Sequence, residues 1–374
     1  MRFVTLVGTM VVAGGAVACS GAGHAPPPAP PAAAVAPAVP LVVDLMPAFW
    51  TFWTRAEGVT APERVALLKE LALAPHQEYY EGVPYIPSDE RLAKFLDTLT
   101  PAIPALRRID GEFRAQLPGA YTAFLAAYPG LDPALPIYVG PSLFTSSGQV
   151  REFNGRTIVM YGLDVMAVVL ADVEDHVPDI QHELFHAYHW QRNPGIAAAG
   201  REAFVATRTT PMFYDLWIEG LALHAVHRLD PEAPLALLLA STALPEKGPV
   251  VLARVAGELR RRLDVTNIDE VGDYFFFHTS RTDIPSRIAY YVGLRLAEEI
   301  GRRLSMEQMI ALDGDDLRRE VEAGLLALES REAGAAPAAT GLRSRLPPRR
   351  AARARLPLSP RGRRSPCRAP RPGR

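Results

Sequence analysis

Cysteine is nearly absent from this chain: among 374 residues only Cys19 and Cys367 are cysteine, one near each end. The long stretch between them carries no disulfide, so it must be held together by burial of its own core. At about 290 residues, 41–330 is long enough for that, as one large domain or two subdomains. Lysine is almost missing too, confined to Lys69, Lys94 and Lys247, so arginine supplies the positive charge. No internal repeat and no glycine-rich phosphate loop of known spacing occurs, which argues against a solenoid and against a phosphate cradle. The net charge of −1 hides a division. Of 40 basic and 41 acidic residues, thirteen arginines and one glutamate (Glu332) lie from 331 onward, leaving 27 basic against 40 acidic before it. An acidic body repels nucleic-acid backbones, and the basic tail lacks the aromatics on which bases stack. No nucleic-acid partner is expected.

The ends read differently from the body. "MRFVTLVGTMVVAGGAVACS" has one basic residue, an apolar run from Phe3 to Val17, and then small residues. That is the layout of a secretory signal peptide over 1–19, shorter than the roughly 20 apolar residues of a membrane span. "AVAC" is similar to a bacterial lipobox, which implies lipidation of Cys19 and a membrane anchor; Ala16 stands where leucine is commoner. Ser20, rather than aspartate after the cysteine, points to the outer membrane. The expected location is therefore the cell envelope, as an exported lipoprotein. Residues 20–40, dense in proline and alanine, form an extended spacer. The Arg/Pro-rich tail, 331–374, has no apolar periodicity and is expected to be disordered, an extension without a role in the fold.

Within 41–330 two parts are expected. From 41 to 131 the patterns are helical: "LMPAFWTFW" puts Leu45, Phe49, Phe52 and Trp53 on one face. "TAPERVALLKELALA" opens with a capping box from Thr60 to Glu63, and Ser88 is an N-cap for "SDERLAKFLDTL". "IPALRRIDGEFRAQL" and "YTAFLAAY" follow, until "PGLDP" breaks the run. From 132 to 330 the character changes. Ile137, Tyr138 and Val139 suggest a short buried strand, and Asn154-Gly155 between two β-prone runs predicts a hairpin. Helices are then expected over "DIQHELFHAYH", "FYDLWIEGLALHAVHRL" and "PSRIAYYVGLRLAEEIGRRL". The fold class is α+β, mostly helical, with a small mixed sheet carrying the helix that begins near Pro178.

On that helix His182 and His186 are four apart, about 6 Å along the axis and about 40° around it, so their imidazoles project side by side and can grip one ion. His189 lies about 10.5 Å from His182, too far to join them at zinc–nitrogen bonds of about 2.0–2.1 Å. With Glu183 the run completes H-E-x-x-H, the zinc metallopeptidase motif. Its logic is mechanical: neutral histidines leave the cation Lewis-acidic, and the adjacent carboxylate takes a proton from water and returns it to the leaving amine. A third protein ligand is needed. The metzincin pattern would place glycine at 189 and histidine at 192, where His189 and Arg192 stand, so that class is excluded. Glu219, in an otherwise apolar helix, is a carboxylate that burial would penalise without a partner.

"HELFH", "WIEGLA" and "RIAYYVG" together resemble gluzincin-type zinc-dependent proteases, whose second motif is a Glu-Gly-Leu-Ala helix; the likeness covers about residues 45–325. The thermolysin branch is excluded, because Leu223 stands where it has aspartate. The resemblance implies a zincin-like fold, Zn2+ held by His182, His186 and Glu219, and Glu183 as base. It also implies an oxyanion donor at Tyr290 or Tyr291, a choice the sequence leaves open. His224, His227 and His278 are lesser candidates, and Asp215 or another acid is a candidate for steadying a ligand histidine. The expected substrate is a polypeptide, bound in extended form along the edge of the small sheet. Two other readings stay open: a surface-binding lipoprotein that keeps the scaffold without turnover, and a zinc hydrolase of a non-peptide amide.

Overall fold

Three of the four strands run parallel, and the one that does not ends up beside the histidine helix. In this computed structural model the described residues are 39–81, 88–206, 209–277 and 279–330. The expected signal peptide with Cys19, all but the last residues of the linker, the Arg/Pro-rich tail and His278 lie outside them. Among the described residues the fold is α+β and mostly helical, with one mixed sheet of order β1-β2-β4-β3. The strands are β1 (Leu41–Asp44), β2 (Pro136–Gly140), β3 (Gly148–Phe153) and β4 (Arg156–Gly162). β1, β2 and β4 are parallel, and β3 returns antiparallel to β4. The hairpin forms where it was expected: Asn154 and Gly155 both take positive φ, 48° and 71°, as a two-residue turn between twisted strands requires.

One expectation is corrected at the first strand. Residues 41–131 read as wholly helical, yet Leu41–Asp44 is a strand paired with Pro136–Val139. Being an edge strand with Leu41 and Val42 exposed, it lacks the alternation that would mark it, and its partner lies about a hundred residues away. The two expected parts, 41–131 and 132–330, therefore share one sheet.

The helices follow in chain order: α1 (Met46–Arg55), α2 (Ala61–Leu68), α3 (Gln77–Glu81), α4 (Asp89–Leu99), α5 (Ile103–Ala127), α6 (Leu163–Val169), α7 (Val177–Arg192), α8 (Pro194–Ala206), α9 (Met212–Leu229), α10 (Leu235–Leu238), α11 (Ala243–Arg260), α12 (Ile268–Phe275), α13 (Ile288–Ile300), α14 (Met306–Ile310) and α15 (Gly314–Ser330). Leu45, Phe49 and Phe52 are buried as their spacing predicts, while Trp53 is half-buried under the Arg64 guanidinium. Glu63 reaches back to accept the Thr60 N–H at 2.9 Å, and the Ser88 hydroxyl caps α4. The two helical stretches before "PGLDP" are one helix, α5, which passes through Pro118. No described helix is long and apolar enough to cross a membrane.

Two contacts fix where the functional helices lie. The Tyr161 hydroxyl on β4 donates to the Ile180 carbonyl at 2.7 Å, tying the first turn of α7 to the sheet. α9 crosses α13 at Gly220 and Gly293. A Cβ on Gly220 would stand 2.6 Å from the Gly293 Cα, and one on Gly293 2.7 Å from the Leu216 carbonyl oxygen. Only two glycines let these backbones touch, and Glu219, next to Gly220, and Tyr290, about one turn before Gly293, both line the same cleft as α7.

Candidate metal centre

α7 starts with Pro178 in its first turn, where a missing N–H costs nothing, and its face at Asp179, His182, Glu183 and His186 looks into a cleft. The Nε2 atoms of His182 and His186 stand 2.9 Å apart with their rings nearly perpendicular. Glu219 comes in from α9, its Oε2 lying 3.0 Å from the His182 Nε2 and 3.7 Å from the His186 Nε2. Four donors set tetrahedrally at zinc bond lengths stand about 3.3 Å from one another. The three separations bracket that edge, so these residues could hold one metal ion. His189 takes no part: it is fully buried and meets the Ile310 carbonyl at 3.2 Å.

The charges agree with the geometry. Burial alone would raise the Glu219 carboxyl, but His186 and His182 outweigh it and hold the group well below its ordinary range, as an anion. Burial lowers His182, and neighbouring His186 adds to this. For His186 the pull of Glu219 and Glu183 overcomes burial and raises it. Glu183, beside them, has a buried Oε2 with no hydrogen-bond partner among the described residues. Its carboxyl is pushed up to about 8, chiefly by burial; His186 opposes this, while Glu219 and Asp179 add to it. Two imidazole nitrogens and one carboxylate oxygen are turned towards one point in a largely desolvated site, a donor set that a divalent cation satisfies. The donor set therefore fits a metal.

The cleft has a volume of about 890 Å³ and is walled on one side by the edge strand. Gly148, at the start of β3, leaves room for Glu183, because a Cβ would lie 2.6 Å from the Glu183 carboxyl carbon and push that side chain aside. The loop before it is held in shape by Asp164, which accepts the N–H groups of Ser142 at 2.7 Å and Phe144 at 2.8 Å. Leu143 and Phe144 are thereby fixed at positive φ, 58° and 59°.

The two tyrosines of α13 are placed differently. Tyr290 lines the cleft, and burial, with Glu219 adding, pushes its phenol above the ordinary value, so it remains a hydrogen-bond donor. Tyr291 is not among the cleft-lining residues: one residue on is about 100° around the helix, and its ring packs over Gly248 and under Arg295. Asp215 hydrogen-bonds the Thr210 hydroxyl rather than a ligand histidine, and the buried His186 Nδ1 has no partner among the described residues. Neither His224 nor His227 lines the cleft. Three cleft residues were missed from the sequence: Asp179, Gly148 and Arg287. Asp179 carried a signal, since 179, 182, 183 and 186 follow the period of one helix face. Gly148 and Arg287 carried none.

Compared with protein-family models, with curated proteins and with solved structures, the chain finds no match.

Proposed function

We propose that this protein is a zinc-dependent peptidase of zincin-like architecture, with polypeptide as its substrate. One observation carries the reading: two helical imidazoles and a carboxylate from a second helix converge on a single point, beside a glutamate whose buried Oε2 has no hydrogen-bond partner among the described residues. Bound there, the zinc ion supplies a Lewis acid that polarises a carbonyl and makes water acidic. His182, His186 and Glu219 are its ligands. Glu183 accepts a proton from the attacking water and delivers it to the leaving amine, a transfer that a desolvated carboxyl with a raised pKa performs well. Tyr290 donates its phenolic hydrogen to the oxygen that gains negative charge as the carbonyl becomes tetrahedral. Gly148, Gln149 and Val150 on β3, an edge strand of the sheet among the described residues, line the cleft where an extended peptide can add as a further strand.

The intact base favours turnover over the silent binding scaffold. In Glu183→Gln, metal content should match the wild type while hydrolysis of a denatured protein mixture falls by about 10²–10⁴-fold. Equal cleavage by wild type and variant would sink the peptidase reading. For the location we keep the envelope lipoprotein: Cys19→Ala should move the protein from the membrane fraction to the soluble one.

A further inference from the structure

The cleft is acidic at its floor, yet its wall holds a cation to which the proposed chemistry gives no role in binding substrate. Arg287, immediately before α13, is the only Arg or Lys among the described residues lining the cleft. Its guanidinium carbon lies 4.1 Å from the ring centre of Tyr290 and 4.6 Å from that of Phe277. One of its terminal nitrogens donates to the Leu239 carbonyl at 3.0 Å. The aromatic contacts, this hydrogen bond and a second one to the Tyr290 hydroxyl restrain the head group, yet most of its five N–H donors remain for another partner. It makes no ion pair with a described carboxylate. Asp215 is taken by Thr210, and Asp179 feels the arginine's field without forming a pair with it. The backbone adds a cost: Arg287 has φ 58°, the left-handed region, where glycine or asparagine would sit with less strain.

A cation pinned beside aromatic rings in a cleft, with donors to spare, suits a planar anion. We propose that Arg287 is the anchor of a carboxylate-binding subsite next to the metal centre, so that the peptides this site takes carry a carboxylate close to the bond cleaved. The proposal rests on the peptidase reading for its substrate class. The carboxylate has two possible sources, the free C-terminus of a short peptide or an Asp or Glu side chain within a longer one. The neighbouring wall sets the company that carboxylate keeps. Val168, Val169, Phe276 and Phe277 are each more than a third exposed there, so flanking apolar side chains are accommodated.

Binding tests this without turnover. The full chain carrying Glu183→Gln, loaded with zinc, is titrated by fluorescence anisotropy with labelled apolar peptides in matched pairs. One pair differs only in a C-terminal carboxylate against amide, the other only in an internal Glu against Gln with the terminus amidated. In one of the two pairs the carboxylate form should bind about ten- to a hundredfold tighter, and that pair identifies the source. Adding Arg287→Asn, which tolerates the left-handed backbone, should bring the ratio near one. Arg287→Lys should restore it only in part, since it keeps the charge without the fork. Because each ratio is taken within one preparation, loss of folded protein does not mimic the effect. Ratios near one in both pairs before Arg287 is changed, or a preference that survives Arg287→Asn, would overturn the subsite. If the ratios behave as expected but the wild-type residue 183 cleaves none of the peptides, the peptidase reading fails and the subsite stands.

Discussion

Helix α7 carries three histidines, and its two halves treat them in opposite ways. Towards its start His182 and His186 face a cleft, with an acid arriving from α9 to meet them. Towards its end His189 points into the core, fully buried, against the Ile310 carbonyl, and Asn193 donates to that same carbonyl at 3.0 Å. The residue type is the same and the positions differ by one turn. What separates them is the partner: the Glu219 carboxylate joins two imidazoles into a group that could hold a metal ion, whereas a backbone carbonyl makes the third a neutral strut. A histidine count alone would have granted the helix three ligands.

The sharpest way to break this contrast is to exchange substitutions between the halves. His186→Ala or Glu219→Ala should remove the zinc and, with it, about a thousandfold or more of the hydrolysis. His189→Gln should leave the metal content unchanged. Metal analysis of the purified proteins decides it, and full zinc occupancy in Glu219→Ala would sink the assignment. A smaller effect is expected one step removed. Gly220→Ala leaves every ligand in place but forces α9 off α13, so it should lower stability by about 1–3 kcal/mol and weaken zinc binding as Glu219 is displaced. Urea unfolding and a zinc titration measure the two consequences. A fully stable, fully loaded variant would mean the crossing does not position the ligand.

What could be read beforehand follows the same divide between local and distant causes. The pairing of His182 with His186 was legible because helical spacing is a property of neighbours in the chain. So was the Asn154-Gly155 turn, and so was the exclusion of His189, which needed only the rise per residue. Glu219 was legible in part, as a charge in an apolar helix that needed compensation. Tyr290 against Tyr291 was not. Which of two adjacent residues faces a cleft depends on the rotation of α13, and Gly293 sets that rotation against a glycine 73 positions earlier. β1 was missed for a like reason, since its partner strand is remote, and Arg287 because a basic residue before a helix marks nothing until the rings beside it are placed.

The smallest effect separates the two halves by pH rather than by metal. At His189 the Nε2–H donates to Ile310, and the buried Nδ1 has no partner among the described residues, so protonation would place a charge in the core. Burial, with His186 adding and the Ile310 carbonyl opposing, lowers its pKa to about 3. The unfolded chain takes up that proton near the ordinary value of about 6.5. Stability from a neutral His189 is therefore complete above about pH 6.5 and drains away as the pH falls towards 3, by up to about 1.4 kcal/mol per pH unit for the one proton. In His189→Gln the amide can still donate to the Ile310 carbonyl but cannot be protonated. Its urea-derived stability should thus fall less steeply than the wild type's between about pH 6 and 4, by at most one proton's worth. Because the other histidines are unchanged, the difference between the two slopes belongs to His189, and parallel slopes would show that the core end of α7 does not hold its imidazole neutral.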